Sequence, residues 1–195
     1  MKKKSETAET VLNVVTHLKL TEGIQIKTIR CDNAGENKAL QKLCMEKGLG
    51  ITFQFTAPNT PQQNGVVERS FATSYGRMRA ILNEAGINGP LRKSIWAEVA
   101  NYETDTANIL VSRKDEMCPY EKFYGRNPGY VKDLTAFGKI CISKRNNYLN
   151  RSNLTNKGIP CMMVGYAKDN AIGTYRLLNL ESNRIIKSRN VKWLN

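Results

Sequence analysis

The sequence predicts a mixed α/β unit followed by a small all-β unit. Two observations carry this. Residues 11 to 55 alternate helix-period and strand-period segments in the order helix, strand, helix, strand, which is an α/β signature. Beyond about Leu134 the periodicity changes to four short β-like runs within some sixty residues, the spacing of a small β-barrel.

Each element follows from local chemistry. Val11, Val14, Val15 and Leu18 stand at i, i+3, i+4 and i+7, an amphipathic helix stopped near Gly23. Ile24 to Cys31 alternates as a strand and runs into Asp32-Asn33-Ala34-Gly35-Glu36, which is turn and cap chemistry. Ala39, Leu40, Leu43 and Cys44 mark a second helix ending at Gly48, and Ile51 to Phe55 alternates as a second strand. The stretch from Thr56 to Gly65, with two prolines and many amides, is a polar loop. From Val66 to Ala85, Val67, Phe71, Met78 and Leu82 share one helical face, which puts Glu68 in the first turn. A further helix is expected from Leu91 to Val111, with Trp96 among its core residues, and Pro119 and Pro128 then punctuate an irregular linker. The β-like runs are Ala136 to Ser143, Gly158 to Ala167, Thr174 to Leu180 and Arg184 to Leu194. The expected division is 1–112, a linker over 113–133, and a β domain over 134–195.

Composition narrows the function classes. A chain of 195 residues with 41% hydrophobic content can bury a core. No apolar run reaches the roughly 18 residues of a membrane span, and the start lacks a signal-peptide apolar region, so a soluble, intracellular protein without membrane partners is expected. Five cysteines without a C-x-x-C pair and a single histidine, His17, support neither a disulfide framework nor a zinc site. The net charge of +13 is distributed as +3 over residues 1–30, 0 over 31–110 and +10 over 111–195. A basic excess confined to the carboxy-terminal part is the footprint of a polyanion partner or of a solvated basic rim.

Asp32, at a strand's carboxyl end, and Glu68, at the start of a helix, have 35 residues between them. Phosphoryl transfer on DNA uses two divalent cations about 4 Å apart held by carboxylates, and one acid from a strand with one from a helix suits that arrangement. On spacing alone the pair is better read as a turn residue and a first-turn dipole partner, since seventeen acidic residues supply many such pairs. Cys31, beside Asp32, has no paired base and reads as an inert strand cysteine. His17 reads as a solvent-facing or core-edge residue, and Trp193 as a core residue.

The string Cys31-Asp32-Asn33-Ala34-Gly35-Glu36, followed by Thr60-Pro61-Gln62-Gln63-Asn64-Gly65-Val66-Val67-Glu68-Arg69, resembles the integrase core of copia-type retrotransposons, whose pattern is TDNGGE then TPQQNGVAER. Ser94 to Glu98, Cys118 to Glu121, Gly125 to Pro128, Phe137-Gly138, Val164-Gly165-Tyr166 and Tyr175-Arg176-Leu177 extend the resemblance along the chain, the last three resembling the SH3-like domain that follows the core. The resemblance implies a ribonuclease-H-like core and an SH3-like β-barrel. It implies Mg²⁺ or Mn²⁺ as cofactor and insertion of element DNA into host DNA, with RNA as a further ligand and a homo-oligomer as the active form. Cytoplasm and nucleus are the compartments this implies. Asp32 and Glu68 would be catalytic metal ligands. Asn33, Gln62, Gln63, Asn64 and Arg69 would lie along nucleic acid, and Lys144 and Arg145, with the Lys187–Arg189 cluster, are the phosphate-binding candidates of the β domain.

Two departures qualify this. The pattern's first Asp belongs to an opening strand well before the second, yet none of the 31 residues before Asp32 is Asp, and Glu6, Glu9 and Glu22 flank a helix. The core is therefore expected to be truncated at its amino terminus, with its first strands missing and its metal site incomplete. Secondly, Arg69-Ser70-Phe71-Ala72 stands where relatives often place basic and polar residues. The alternatives are a non-catalytic nucleic-acid-binding module and a transposon remnant without function.

Overall fold

A computed structural model describes residues 6–57, 65–112, 115–144 and 156–194. The chain packs as two compact units, Met1–Phe71 and Ala72–Asn195.

In the first unit, helix α1 (Thr7–Thr21) and helix α2 (Gly35–Glu46) flank strands β1 (Thr28–Cys31) and β2 (Thr52–Phe55), which pair in parallel with Cys31 opposite Phe55. Ala8, Leu12, Leu40 and Cys44 are the buried centre, with Ile29 and Phe53 of the strands packed on them. The periodicity predicts a strand from Ile24, but it starts at Thr28. Gly23 (φ 66°) closes α1 by letting the Ile24 amide donate to the Leu18 carbonyl, so 24–27 belong to the helix exit. The partner strand begins only at Thr52, whose amide donates to the Lys27 carbonyl at 2.9 Å.

Helix α3 (Gly65–Glu84) runs across the boundary between the units. Of its predicted apolar face, Met78 and Leu82 are buried, whereas Val67 and Phe71 are exposed, because only the second half of the helix lies on a core. The predicted helix 91–111 is two helices, α4 (Gly89–Ser94) and α5 (Trp96–Ile109), turning at Ile95. Ile95 and Val99 fill the core, and the turn leaves Trp96 62% exposed, which corrects its placement as a core residue. The predicted linker carries helix α6 (Pro119–Tyr124) and a 3₁₀ turn (Gly129–Asp133).

The sheet comprises β3 (Ile140–Lys144), β4 (Gly158–Tyr166), β5 (Tyr175–Asn179), β6 (Arg184–Ser188) and β7 (Val191–Trp193), antiparallel in the order β6-β5-β4-β3-β7. The predicted strand 184–194 is therefore two strands that join opposite edges. The first β-like run starts late, because Phe137-Gly138 is a turn in which Gly138 adopts φ 85° and donates to the Met163 carbonyl. In a flat sheet, strands three places apart lie roughly 14 Å apart. Tyr175 on β5 and Trp193 on β7 nevertheless meet with ring centroids 5.0 Å apart, so the sheet curls.

Both faces of β4 are buried, as its unbroken apolar run requires. Cys161 and Met163 point to one core with Cys141, Tyr166, Tyr175 and Leu177. Met162 and Val164 point to the other, where with Phe137 and Leu178 they meet Met78 and Leu82 of α3 and Ile95 and Val99 beside or on α5. A β domain drawn by periodicity thus shares its core with helices that periodicity assigns elsewhere. Tyrosine hydroxyls add to the seam. Tyr102 and Tyr166 donate to the Thr135 carbonyl, Tyr175 to that of Asp133, and Tyr130 to that of Asp105, at 3.1–3.2 Å. Helix α5 is also tied by its acids, with Glu98 taking a two-bond pair from Arg176 and buried Glu103 accepting from Ser74 and Arg77.

Candidate functional site

The parallel β1–β2 pair places Asp32 immediately past its carboxyl end, the position where open α/β sheets carry ligand-binding groups. Thr56 closes that end by donating its amide to the Cys31 carbonyl at 2.9 Å. Asp32 is exposed and its side chain is fixed. Oδ1 accepts from the Ala34 amide at 3.2 Å and from Asn37 Nδ2 at 2.7 Å, and the same Asn37 nitrogen reaches the Asp32 carbonyl at 3.2 Å. Asn37 therefore holds the rotamer from the first turns of α2, leaving Oδ2 outside these bonds. Sequence reading passed over Asn37; its signal is an amide five residues after an acid that ends a strand.

Asn33 is exposed beside Asp32. Glu68 lies exposed in the first turn of α3, as its sequence position predicts, and Arg69 is exposed with Nε donating to the Gly65 carbonyl at 3.1 Å. Gln62, Gln63, Asn64 and Arg145 lie outside the described residues. On the face beside Asp32, Arg30 donates Nε and Nη2 to Gln54 Oε1 at 3.3 and 3.0 Å, next to Phe55 and Thr56. Burial, and secondarily the Asp32 charge, push the Cys31 thiol upward, which suits a packed strand cysteine and opposes a thiolate nucleophile.

Among the described residues no three His, Cys, Asp or Glu side chains come together as a metal centre. The donors among the described residues therefore do not by themselves fit a two-cation site.

The third place of interest is on the β-sheet. Lys144 lines an open groove of about 460 Å³ together with Lys157 and Lys192, over Ile142, Gly158 and Asn190. Lys157 and Lys192 were not singled out in the sequence, because they are isolated charges whose common location depends on the pairing of β3 with β4 and β7.

Residues 141–195 match the model of the retroviral polymerase SH3-like domain. Over 176 residues, 87% of the chain, it is 31% identical to the retrovirus-related Pol polyprotein from transposon TNT 1-94 of Nicotiana tabacum. This chain is a relative of the copia-type Pol polyproteins. Two further relatives, the Pol polyproteins from transposons RE1 and RE2 of Arabidopsis thaliana, are 28% and 27% identical across 99% of the chain. The chain spans about an eighth of the length of these polyproteins, 12% to 13%. A solved simian T-cell lymphotropic virus intasome in complex with PP2A regulatory subunit B56 gamma aligns with all of the chain and 66% of its own, at 15% identity and a TM-score of 0.44.

Proposed function

We propose that this chain, a protein of the cytoplasm and nucleus, is an integrase segment of a retrotransposon Pol polyprotein, serving metal-dependent insertion of element DNA into host DNA. The observation that carries the reading is the placement of Asp32, fixed by Asn37 at the carboxyl end of a parallel strand pair, with Glu68 on the first turn of the helix that follows the Gln-Gln-Asn-Gly loop. In this reading β1, β2, α1 and α2 are part of a ribonuclease-H-like core. Asp32 and Glu68 supply two of three carboxylate ligands to Mg²⁺ or Mn²⁺, and the third carboxylate comes from a Pol segment other than the residues described. Asn33, the loop amides Gln62, Gln63 and Asn64, and Arg69 then lie along DNA, and the basic β domain through Lys144 and Arg145 holds it.

The chain alone is expected to give no strand transfer with Mn²⁺ and a pre-cut DNA end. Supplying the upstream Pol segment that bears the family's first Asp is expected to give activity that Glu68→Gln abolishes. Activity of the isolated chain that is lost in Glu68→Gln would overturn the incompleteness of the site. No activity in the extended protein would overturn the catalytic reading. A second reading, a nucleic-acid-binding module without catalysis, is favoured by the lysine-lined groove of the antiparallel sheet. It requires salt-sensitive binding that survives Asp32→Asn.

A further inference from the structure

We propose that Cys141 and Cys161 form a modification site, a dithiol that a peroxide converts into an intrachain disulfide joining β3 to β4. Far apart in the sequence, the two cysteines stand directly opposite each other in the antiparallel register. Opposed residues share a sheet face, and both side chains lie in one buried cluster at 0% exposure. Two positions along the same register the Met163 amide donates to the Lys139 carbonyl, and Pro160, opposite Ile142, has no amide hydrogen to give. Ladder bonds alternate, so Cys141 and Cys161 are a hydrogen-bonded pair, with α-carbons about 5.5 Å apart. That falls within the roughly 4.4–6.8 Å a disulfide spans between α-carbons. Opposed β-carbons, about 4.5–5.5 Å apart in such a ladder, must close toward the roughly 3.5–4.5 Å of a disulfide. The bond is therefore strained, and strained disulfides are the readily reduced, reversible ones.

The surroundings separate this pair from the other thiols. Cys118 is engaged, its sulfur accepting from the Glu121 amide at 3.4 Å and donating to Asn127 Oδ1 at 3.8 Å. Cys31 faces Phe55 across the parallel pair, and Cys44 lies on α2. Ser143, two residues after Cys141 and so on the same face, is 1% exposed, and its hydroxyl has no hydrogen-bond partner among the described residues. A buried unpaired hydroxyl calls for an acceptor, and a sulfenate oxygen on Cys161 supplies one. Burial pushes both thiols up, Cys141 to about 11 with the charge of Cys161 adding to it, whereas at Cys161 a hydrogen bond from the Ser143 backbone opposes the burial. Cys161 is thus the sulfur oxidised first. It takes one oxygen from the peroxide, giving a sulfenic acid and one water. Cys141 then attacks that sulfur, the S–S bond forms as the S–O bond breaks, and a second water leaves. The two thiols lose two electrons and their two hydrogens, and the peroxide is reduced to two waters. Access is by way of β7, a three-residue edge strand whose Trp193 stands opposite Cys141 on the side away from β4, since short edge elements open locally at low cost.

The test treats the folded full chain with hydrogen peroxide, removes the excess with catalase, unfolds the chain in denaturant with N-ethylmaleimide, and counts adducts by mass spectrometry. The reduced chain, with five cysteines, takes five adducts, and the oxidised chain is expected to take 5 − 2 = 3. Peptide mapping is expected to find Cys141 and Cys161 in one cross-linked species, and reduced glutathione to restore five adducts. Cys141→Ala and Cys161→Ala are each expected to abolish the cross-link, whereas Cys118→Ala keeps it. Thermal melting checks that each variant folds, and the peptide map of the wild type decides the matter where one does not. Five adducts on the peroxide-treated wild type, a cross-link between any other pair, or sulfinic acid in place of the cross-link overturns the proposal.

Discussion

The shared core of the second unit makes a quantitative prediction about where this protein can be cut. On the sheet side the core consists of Phe137, Met162, Val164 and Leu178, all at 6% exposure or less, and on the helix side of Met78, Leu82, Ile87, Ile95 and Val99. Residues 134–195 expressed alone would return those four sheet residues to water. At about 1.5–3 kcal/mol for each large apolar side chain, the loss is about 6–12 kcal/mol, an upper bound because the unfolded chain also buries some of that surface. A small domain is stable by only about 5–15 kcal/mol in total. The fragment 134–195 is therefore expected not to fold, whereas 72–195, which keeps the helices, is expected to melt cooperatively. Within the full chain, Val99→Ala removes two carbons from a site of zero exposure, about 1.6 kcal/mol of transfer plus a cavity contribution, or about 2–3 kcal/mol. Urea unfolding followed by circular dichroism measures both. A 134–195 fragment as stable as 72–195, together with a Val99→Ala loss below about 0.5 kcal/mol, would refute the argument that the helices complete this core.

Two other predictions follow from buried details. At Gly138 (φ 85°) a β-carbon would come within 2.5 Å of the Ala85 β-carbon, so Gly138→Ala combines backbone strain with overpacking and should cost about 3 kcal/mol; Gly125→Ala, at φ 66° with open space around it, should cost only about 1 kcal/mol. Equal losses in melting temperature for the two would show that the Ala85 contact contributes nothing. Asp105 is 3% exposed and burial raises its carboxyl above the ordinary 3.8, an effect that the bond and charge of Lys168 oppose. A raised acid is favourable to the fold when protonated, so its contribution is lost as pH rises from about 4 through the folded-state value. Lys168 is 59% exposed and can return to water. Asp105→Asn should then lie within about 1 kcal/mol of wild type at pH 7 and gain on it between pH 4 and 7. A loss of 3 kcal/mol or more at pH 7, measured by urea unfolding, would mean that the ion pair outweighs the burial of the charge.

Local chemistry was enough for much of this protein. Asp32 after a strand, Glu68 in the first turn of α3, the helix–strand–helix–strand order, the breaks at Gly23 and Gly86, and the change to β-like runs are all nearest-neighbour effects: side-chain period, capping and turn preference act over a few residues and are written in the sequence. The kinship with Pol polyproteins was also legible, because Asp32 and Glu68 sit inside uncommon strings at a fixed gap. Tertiary structure decided what depends on residues far apart in the chain. Whether 184–194 is one strand or two depends on β5 and β3 being on opposite sides of β4. The exposure of Trp96 depends on a turn at Ile95 that lets Val99 reach the sheet. The capture of Asp32 by Asn37 needs the angle at which α2 leaves β1, and the grouping of Lys144 with Lys157 and Lys192 needs strand register. Periodicity records which face of an element is apolar but not what covers it, and so the sequence placed the boundary of the β domain where the pattern changes while the packing carried α3 and α5 into the same core.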